Sequence, residues 1–218
     1  MSGTGSSGIM VRNSSMPSGQ ITFTQELARK ATHMGSLVIP VGYYLLSLER
    51  TGMLAIMVPV TLLMILIDIA RLRHWRLYQS FVGKIISPMV RSHEHSGDFV
   101  GATYILLSVC LTIAFYDKPV AIAALSFIAV GDSFAAVIGR KFGRHRFGRK
   151  SLEGSLGCLL GTLLVALIVP DLSLYVCVFG AFVATIVEAL SSNIDDNISV
   201  PILTGLAMTL LIRISGSF

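Results

Sequence analysis

Residues 131–154 read GDSFAAVIGRKFGRHRFGRKSLEG, and this stretch decides the fold. It joins the end of one apolar run to a segment with six Arg and Lys residues, and then to the start of another apolar run. An acid within a membrane segment here meets a cationic segment and the beginning of a helix, where anions bind readily. We therefore predict a nucleotide site at the face of a membrane.

Asp132 is the acid, and it lies inside the run 119–139, which is otherwise free of charge. A carboxylate within a membrane segment is costly, so it is a functional candidate; the alternative is a packing residue satisfied by a polar neighbour. Small residues follow it on the same helical face, where another backbone can approach closely. Asp132 is thus predicted to be a catalytic residue and a metal ligand, with Gly131 and Gly139 against the nucleotide.

The next segment is rich in cations, namely Arg140, Lys141, Arg144, Arg146, Arg149 and Lys150. Its glycines permit tight turns and close approach to a ligand, and its cations can bind phosphate oxygens. Membrane topology alone also favours a basic cytoplasmic loop, so this second explanation stays open. The predicted nucleotide contacts in this segment are Arg140, Gly143, Arg149 and Lys150.

The following apolar helix opens with Lys150-Ser151-Leu152-Glu153-Gly154. Ser151 is suited to cap this helix, and Glu153 is a favourable acid in its first turn. The free amides at the same helix start, with Lys150, can also hold a phosphate while Glu153 faces a metal ion. Both roles are compatible, so Ser151 and Gly154 are predicted in the nucleotide site and Glu153 as a second catalytic acid.

The composition is that of an integral membrane protein. The chain has 218 residues, a mean hydropathy of +0.75 and only 13% charged residues, which is too few for the surface of a soluble globule. The sequence pI is about 9.3, but the cations lie between apolar runs without a nucleic-acid-binding motif, so no nucleic-acid partner is predicted. The three cysteines lie in apolar segments and are interpreted as core residues.

Seven apolar runs predict an all-α, polytopic protein with about seven transmembrane helices. The runs lie at about 33–48, 52–70, 99–116, 119–139, 154–170, 172–190 and 200–215. Residues 1–20 are predicted to form a disordered Gly/Ser-rich tail without the apolar core of a signal peptide, and 21–218 a single domain. With the amino terminus in the cytoplasm, only Arg50, Lys118 and Arg213 among the Lys and Arg residues lie outside, which sets the predicted orientation.

Most carboxylates lie on the predicted inner side of the membrane, and the rules that relate charge to membrane topology do not predict this asymmetry. Carboxylate and phosphate oxygens are the ligands that Mg²⁺ prefers. Glu188, Asp195 and Asp196 are therefore predicted to be metal ligands together with Asp132, and Asn197 to contact the nucleotide. A solvated turn is the commoner role for a loop of this composition.

Two other segments carry polar residues. Residues 71–96 combine aromatic and basic side chains and predict a helix that lies in the membrane interface. His93 and His95, near the end of this segment, do not have the spacing of a zinc site on a helix. Arg29, Lys30 and His33 are interpreted as interface anchors; the alternative is that they reach a headgroup or a nucleotide.

Taken together, these residues resemble the CTP-dependent polyprenol kinase family, which includes dolichol kinases, phytol kinases and a CTP-dependent diacylglycerol kinase. The resemblance is carried by Gly131-Asp132, Ala135, Gly139, Gly143, Lys150-Ser151, Glu153-Gly154, Glu188, Asp195-Asp196-Asn197 and Pro201, and also by Arg29-Lys30, His33 and EHSGDFVGATY at 94–104. It covers nearly the whole chain after the tail. The combination is specific, although each motif alone is weak.

The resemblance implies transfer of a phosphoryl group from CTP to the hydroxyl of a membrane lipid alcohol at the cytoplasmic face, with a divalent cation such as Mg²⁺. It makes 132–154 the nucleotide-binding region and 188–197 a second block of the site. Positioning and charge neutralisation dominate such reactions. Asp132 and Glu153 are both candidates for the general base, and the sequence does not choose between polyprenol, phytol and diacylglycerol or give the oligomeric state.

Two other functions stay open. Phosphatidate cytidylyltransferases share the acid-then-glycine helix, but their carboxy-terminal signature, a Lys-Asp pair and later His-Gly-Gly with Asp-Arg-x-Asp, is missing from this sequence. A small membrane transporter or a lipid-binding scaffold would also carry acids within membrane segments. Transporters usually place such charges near the midplane and often have an internal repeat, so the kinase is the preferred interpretation.

Overall fold

The computed structural model describes residues 31, 33–73, 99–148, 150–191 and 195–216. Seven helices lie in this part of the chain: α1 (Val38–Leu45), α2 (Arg50–Leu72), α3 (Gly101–Phe115), α4 (Lys118–Phe142), α5 (Leu152–Ala166), α6 (Leu174–Leu190) and α7 (Asp196–Ser215). The predicted all-α membrane fold is confirmed. Three predicted features lie outside the described residues: the tail 1–20, Arg29 and Lys30, and residues 74–96 of the predicted interfacial helix 71–96, with His93 and His95.

α4 is the central helix of the bundle. It begins after Asp117 with Pro119 in its first turn, where the missing N–H of proline costs little. Residues 120–129 are all buried, and four of them are alanines, which let neighbouring helices approach closely. α1, α3, α5, α6 and α7 all pack against α4. Asp132, on the next turn, therefore lies inside the bundle and not on its lipid side.

α2 lies at the edge of the bundle and packs against α3. Its exposed side chains, Ile56, Leu62, Leu63 and Leu66, are apolar, as expected for a surface that meets lipid. Among the described helices, α2, α4 and α7 are long and apolar enough to cross a membrane, while α3, α5 and α6 are shorter apolar helices. α1 has 8 residues. The number of membrane crossings thus stays a prediction.

The two ends of the bundle carry different charged groups. At one end Arg50 donates a hydrogen bond to the Asp117 carboxylate, and Lys118 donates one to the backbone oxygen of Leu48. At the other end the buried carboxylate of Asp68 on α2 accepts hydrogen bonds from Arg71 Nε (3.1 Å), Val100 N (3.0 Å) and Thr103 Oγ1 (2.5 Å). Asp68 is therefore satisfied by its neighbours and ties α2 to the start of α3.

Three predicted boundaries were wrong. α4 runs to Phe142, so Arg140 and Lys141 are in its last turn and not in a loop. α7 begins at Asp196 because the Asp195 side chain accepts a hydrogen bond from Asn197 N as an N-cap; Pro201 is thus inside the helix and does not open it. α1 is shorter than its apolar run because the chain turns at Ser47, whose φ is 48°.

A short hairpin replaces the irregular loop predicted between α4 and α5. Strands β1 (Arg146–Phe147) and β2 (Lys150–Ser151) pair antiparallel, with Arg146 opposite Ser151 and Phe147 opposite Lys150. Gly148 in the turn has a φ of +63°, a conformation that glycine adopts without strain. The hairpin returns the chain from the end of α4 to the start of α5, with Lys150 at its inner end.

Candidate metal and phosphate site

Three carboxylates from three helices meet at one end of the bundle. They belong to Asp132 on α4, Glu188 near the end of α6 and Asp196 at the start of α7, and one ligand atom from each lies within 4.8 Å of the others. Asp132 and Glu188 are buried, at 8% and 5% exposure, and Asp196 is partly buried. We call this group the acid cluster. All three residues are among the predicted metal ligands.

Lys150 lies against the acid cluster. Its Nζ donates hydrogen bonds to the backbone oxygen of Glu188 and, at 2.5 Å, to Glu188 Oε1. The same Nζ is 3.7 Å from Asp196 Oδ2. The hairpin makes this contact possible, because β2 ends directly at α5 and places Lys150 beside the end of α6. A cation of the chain itself thus offsets part of the negative charge of the cluster.

The acid cluster fits a divalent cation of the hard type. Its three carboxylates supply the oxygen ligands that Mg²⁺ prefers, and two oxygens bound to one Mg²⁺ lie up to about 4.2 Å apart. The observed limit of 4.8 Å between ligand atoms is therefore close to what one ion needs. Glu188 Oε2 is buried and has no hydrogen-bond partner among the described residues. A buried carboxylate oxygen of this kind needs a partner, and a metal ion is one.

His33 and Asn197 extend the site on the side of α1. His33 Nε2 lies 2.6 Å from Asn197 Oδ1 and 3.6 Å from Asp132 Oδ2. His33 is only 4% exposed, so its interpretation as an interface anchor was wrong: the side chain is covered by protein. Asn197 is buried beside the acid cluster, and its contact with a nucleotide stays a prediction.

Asp195 is not part of the acid cluster. Its Oδ1 accepts hydrogen bonds from Asn197 N (3.0 Å) and Asn197 Nδ2 (2.6 Å), which caps α7 and orients the Asn197 amide. Adjacent residues at a helix start point in different directions, so only one of Asp195 and Asp196 can face the cluster. The structure selects Asp196.

Glu153 has a different partner. Its carboxylate accepts hydrogen bonds from His145 Nδ1 (2.8 Å) and from the backbone N–H of His145 (3.2 Å). The hydrogen bond from the His145 side chain lowers the pKa of Glu153 to about 2, so this carboxylate is ionised at neutral pH. The structure places Glu153 outside the acid cluster, where it fixes the segment before the hairpin. This position does not support the predicted catalytic role of Glu153, which stays a prediction.

The predicted glycine contacts lie mostly between helices. A Cβ on Gly131 would be 2.9 Å from Thr162 Cγ2, and one on Gly139 would be 3.2 Å from Gly154 Cα, so these glycines allow α4 and α5 to approach closely. Gly143 ends α4. Ser151 caps α5 as predicted, because its Oγ accepts a hydrogen bond from Gly154 N at 3.1 Å. Arg140 is exposed near the hairpin, and Arg149 lies outside the described residues.

The position of His33 next to the acid cluster could not be predicted from the spacing of residues in the sequence. It is far from Asp132 and Asn197 along the chain, and a single histidine at the start of an apolar run has no periodic signal. The resemblance to the polyprenol kinase family did include this residue. The contact of Lys150 with Glu188 likewise depends on a hairpin, and no turn motif in the sequence predicts that hairpin.

Several characterised and uncharacterised proteins are similar to this chain. An uncharacterised protein of Rickettsia prowazekii is 25% identical over 197 residues, which are 86% of this chain and 95% of that protein. The probable phytol kinase 1 of rice, a chloroplast protein, is 31% identical over 86% of this chain and 65% of its own length. The CTP-dependent diacylglycerol kinase 1 of Schizosaccharomyces pombe is 23% identical over 85% of this chain and 93% of its own length.

No protein-family model matches the chain, and no solved structure is significantly similar to it. Four of the similar kinases align with most of this chain, and the chain spans 65% of the length of the rice protein. This chain is therefore similar over most of its length to a phytol kinase and to CTP-dependent diacylglycerol kinases, and these relatives support its resemblance to the CTP-dependent polyprenol kinase family.

Proposed function

We propose that this protein is a CTP-dependent lipid kinase, which phosphorylates the hydroxyl of a membrane lipid alcohol at the cytoplasmic face with Mg²⁺. The observation that carries the proposal is the acid cluster of Asp132, Glu188 and Asp196 with Lys150 beside it. Carboxylates bind the metal of a metal–triphosphate complex and a lysine binds its phosphate oxygens. The names of the similar proteins, phytol kinase and CTP-dependent diacylglycerol kinase, support the donor and the class of acceptor.

In the proposed reaction the side chains bind and position rather than form covalent bonds. Asp132, Glu188 and Asp196 hold the divalent cation, which supplies neutralisation of the phosphate charge when it is bound. Lys150 exchanges its contact with Glu188 for one with a phosphate oxygen. The exposed cations of the hairpin and of the end of α4 surround the entrance and attract the triphosphate.

The chemical balance is simple. The oxygen of the alcohol forms a bond to the terminal phosphorus of CTP, and the bond from that phosphorus to the β,γ-bridging oxygen breaks. CDP leaves, the lipid monophosphate remains in the bilayer and the hydroxyl proton is released. The alcohol reaches the site sideways between helices, because the outer surface of the bundle is apolar.

The experiment that tests this proposal uses purified protein with CTP that carries ³²P in either the α or the γ position. Phytol, dioleoylglycerol and, as the acceptor that a cytidylyltransferase needs, phosphatidate are each supplied in mixed micelles with Mg²⁺. A kinase moves label into lipid from γ-labelled CTP only, and CDP accumulates. Label that enters lipid from α-labelled CTP, with release of pyrophosphate, would identify a cytidylyltransferase and overturn the proposal.

Two further measurements sharpen the result. An excess of unlabelled ATP should compete poorly if CTP is the donor, and EDTA should abolish transfer if a divalent cation is required. A protein that binds lipid but transfers no label from either nucleotide under these conditions is not a kinase, and the transporter or scaffold function would then be preferred.

A further inference from the structure

A small cavity lies beside His33, on the side of the imidazole ring away from the acid cluster. It is enclosed by α1, α3, α4 and the start of α7, and its lining includes His33, Ser108, Asn197 and the apolar side chains of Pro40, Leu125 and Ile128. The cavity has room for about one water molecule. It is therefore lined by polar residues, His33, Ser36, Ser108 and Asn197, and by apolar side chains.

The hydrogen bonds around Asn197 fix the chemistry of the His33 ring. The Asp195 carboxylate only accepts hydrogen bonds, so the Asn197 atom 2.6 Å from it must be the NH₂ group, and the amide oxygen faces His33. His33 Nε2, 2.6 Å from that oxygen, must then be the N–H donor. In a neutral imidazole a protonated Nε2 leaves Nδ1 as a hydrogen-bond acceptor.

Two buried polar atoms at this cavity have no hydrogen-bond partner among the described residues. They are His33 Nδ1, an acceptor, and Ser108 Oγ, a hydroxyl of a residue that is 1% exposed. Buried polar groups are normally paired, so two of them beside one cavity indicate a missing polar group. A hydroxyl donates one hydrogen bond and accepts others, so it can donate to Nδ1 and accept from Ser108.

We infer that this cavity receives the hydroxyl of the acceptor alcohol, with His33 Nδ1 and Ser108 Oγ as its two hydrogen-bond partners. The inference rests on the proposed function and adds to it the acceptor side of the site. Asn197 and Asp195 are positioning residues, because they hold the ring of His33 with Nδ1 as the acceptor. Because the cavity has room for about one water molecule, it would take the hydroxyl group alone and would exclude a polyhydroxylated headgroup.

The position agrees with a role next to the nucleotide. His33 Nε2 is 3.6 Å from Asp132 Oδ2, so one imidazole ring separates the cavity from the acid cluster. Nucleotide groups bound at the cluster and a hydroxyl bound at the cavity would therefore lie next to the same imidazole ring, and the terminal phosphate would reach the hydroxyl past the edge of that ring. A buried water is the other source of a hydroxyl-like group, and the experiment distinguishes it from the alcohol.

The test measures the KM for the lipid alcohol and the KM for CTP separately, with phytol or dioleoylglycerol, whichever is the better substrate. Ser108→Ala should raise the KM for the alcohol about three- to tenfold, the effect of one neutral hydrogen bond, and should leave the KM for CTP within about twofold. The matched control is Thr112→Val, one turn further along α3, since Thr112 Oγ1 is also buried and without a partner among the described residues but does not line the cavity. It should change neither KM.

Two substitutions of His33 separate its two nitrogen atoms. His33→Gln places an amide where Nε2 was and keeps the contact with Asn197, but it lacks Nδ1, so it should raise the KM for the alcohol and lower kcat. His33→Asn places an amide near Nδ1 and should recover part of the affinity for the alcohol. If Ser108→Ala and His33→Gln leave the KM for the alcohol unchanged, or raise the KM for CTP equally, the cavity holds a structural water and the inference is wrong.

Direct binding keeps this test separate from the proposed function. Without nucleotide, phytol should raise the apparent Tm of the wild-type protein more than phytane, the hydrocarbon that lacks the hydroxyl, and Ser108→Ala should remove this difference. A wild-type protein that shows the difference but transfers no phosphate from CTP would refute the kinase and leave the hydroxyl site. Where dioleoylglycerol is the better substrate, it is compared in the same way with propane-1,2-diol dioleate, which lacks the hydroxyl. Equal effects of the alcohol and its hydroxyl-free counterpart in both pairs would refute the hydroxyl site, whatever the enzyme activity.

Discussion

Asp132→Asn is expected to make the metal-free protein more stable and the enzyme inactive. The substitution keeps the shape of the side chain and removes one of the three charges of the acid cluster. A residue that only packed helices together would behave in the opposite way, because its loss would lower stability. The direction of the stability change therefore tests whether the cluster exists to bind a cation.

The magnitude follows from the distances. Two unit charges 4.8 Å apart, the upper limit within the cluster, repel each other by about 3.5 kcal/mol at an effective dielectric constant of about 20. Asp132 takes part in two such pairs, and its contact with His33 Nε2, at 3.6 Å, offsets part of this repulsion. With screening by nearby water, we expect a gain of at least about 1 kcal/mol, which for a chain of this size raises Tm by about 2–4 °C.

The assay is thermal unfolding of the detergent-solubilised protein, in EDTA and in Mg²⁺ with CDP. Wild type should be stabilised by Mg²⁺ and CDP, and Asp132→Asn should begin with a higher Tm in EDTA and respond little. Its kcat/KM should fall at least about 100-fold, because the metal offsets several kcal/mol of phosphate charge in the transition state.

Asp68→Asn is the matched control. Asp68 is also a buried acid in an apolar helix, but it already accepts hydrogen bonds from Arg71, Val100 and Thr103. Its replacement should destabilise the protein by about 1–3 kcal/mol in EDTA and leave the Mg²⁺ response intact. If Asp132→Asn instead lowers Tm as Asp68→Asn does and keeps the response to Mg²⁺, the acid cluster is a structural feature and not a metal site.

Three further predictions concern the hairpin and the packing. Lys150→Met should raise the KM for CTP about tenfold or more, because a charged hydrogen bond to phosphate is lost. The control Lys141→Ala, which removes an exposed cation, should change this KM less than about threefold. Equal effects would mean that these cations only set the membrane topology. His145→Cys should react with a membrane-impermeant maleimide only from the cytoplasmic side, and labelling from outside would reverse the proposed orientation. Gly205→Ala should lower Tm by about 2–10 °C, since its Cβ would lie 2.5 Å from Tyr116 Cε2; an unchanged Tm would mean that the ring can move aside.

The sequence was informative about the acid cluster because charge within apolar sequence is expensive wherever it occurs. Asp132 and Glu188 could be selected on that ground, and Asp196 because it falls on the same predicted side of the membrane, without knowledge of their distances. The choice between Asp195 and Asp196 could not be made, since it depends on the residue at which α7 starts. That residue is set by the N-cap, and a shift of one position would turn the other acid inward.

The contacts of His33 and Lys150 depend on tertiary structure. Lys150 reaches Glu188 only because a hairpin returns the chain across the end of α4, and the predicted loop contained no strong hairpin signal. His33 meets Asn197 across a sequence separation of 164 residues. Local sequence patterns predict which face of a helix is buried, but they do not predict which buried faces pack against each other.

The level of the acid cluster in the bundle explains how a water-soluble nucleotide and a lipid can meet. Asp132 lies ten residues before the end of α4, about 15 Å along the helix axis, a depth that would suggest the bilayer interior. Yet Asp196 is the first residue of α7, and Glu188 is two residues before the end of α6. The cluster therefore lies where two neighbouring helices end, and α4 projects beyond it. The space above those two helix ends is bounded by α4 and by the hairpin that carries Lys150, so phosphate groups can enter it from water. On the other side of His33 lies the small cavity proposed for the hydroxyl, so in the proposed reaction the alcohol would approach His33 from the side opposite to the nucleotide.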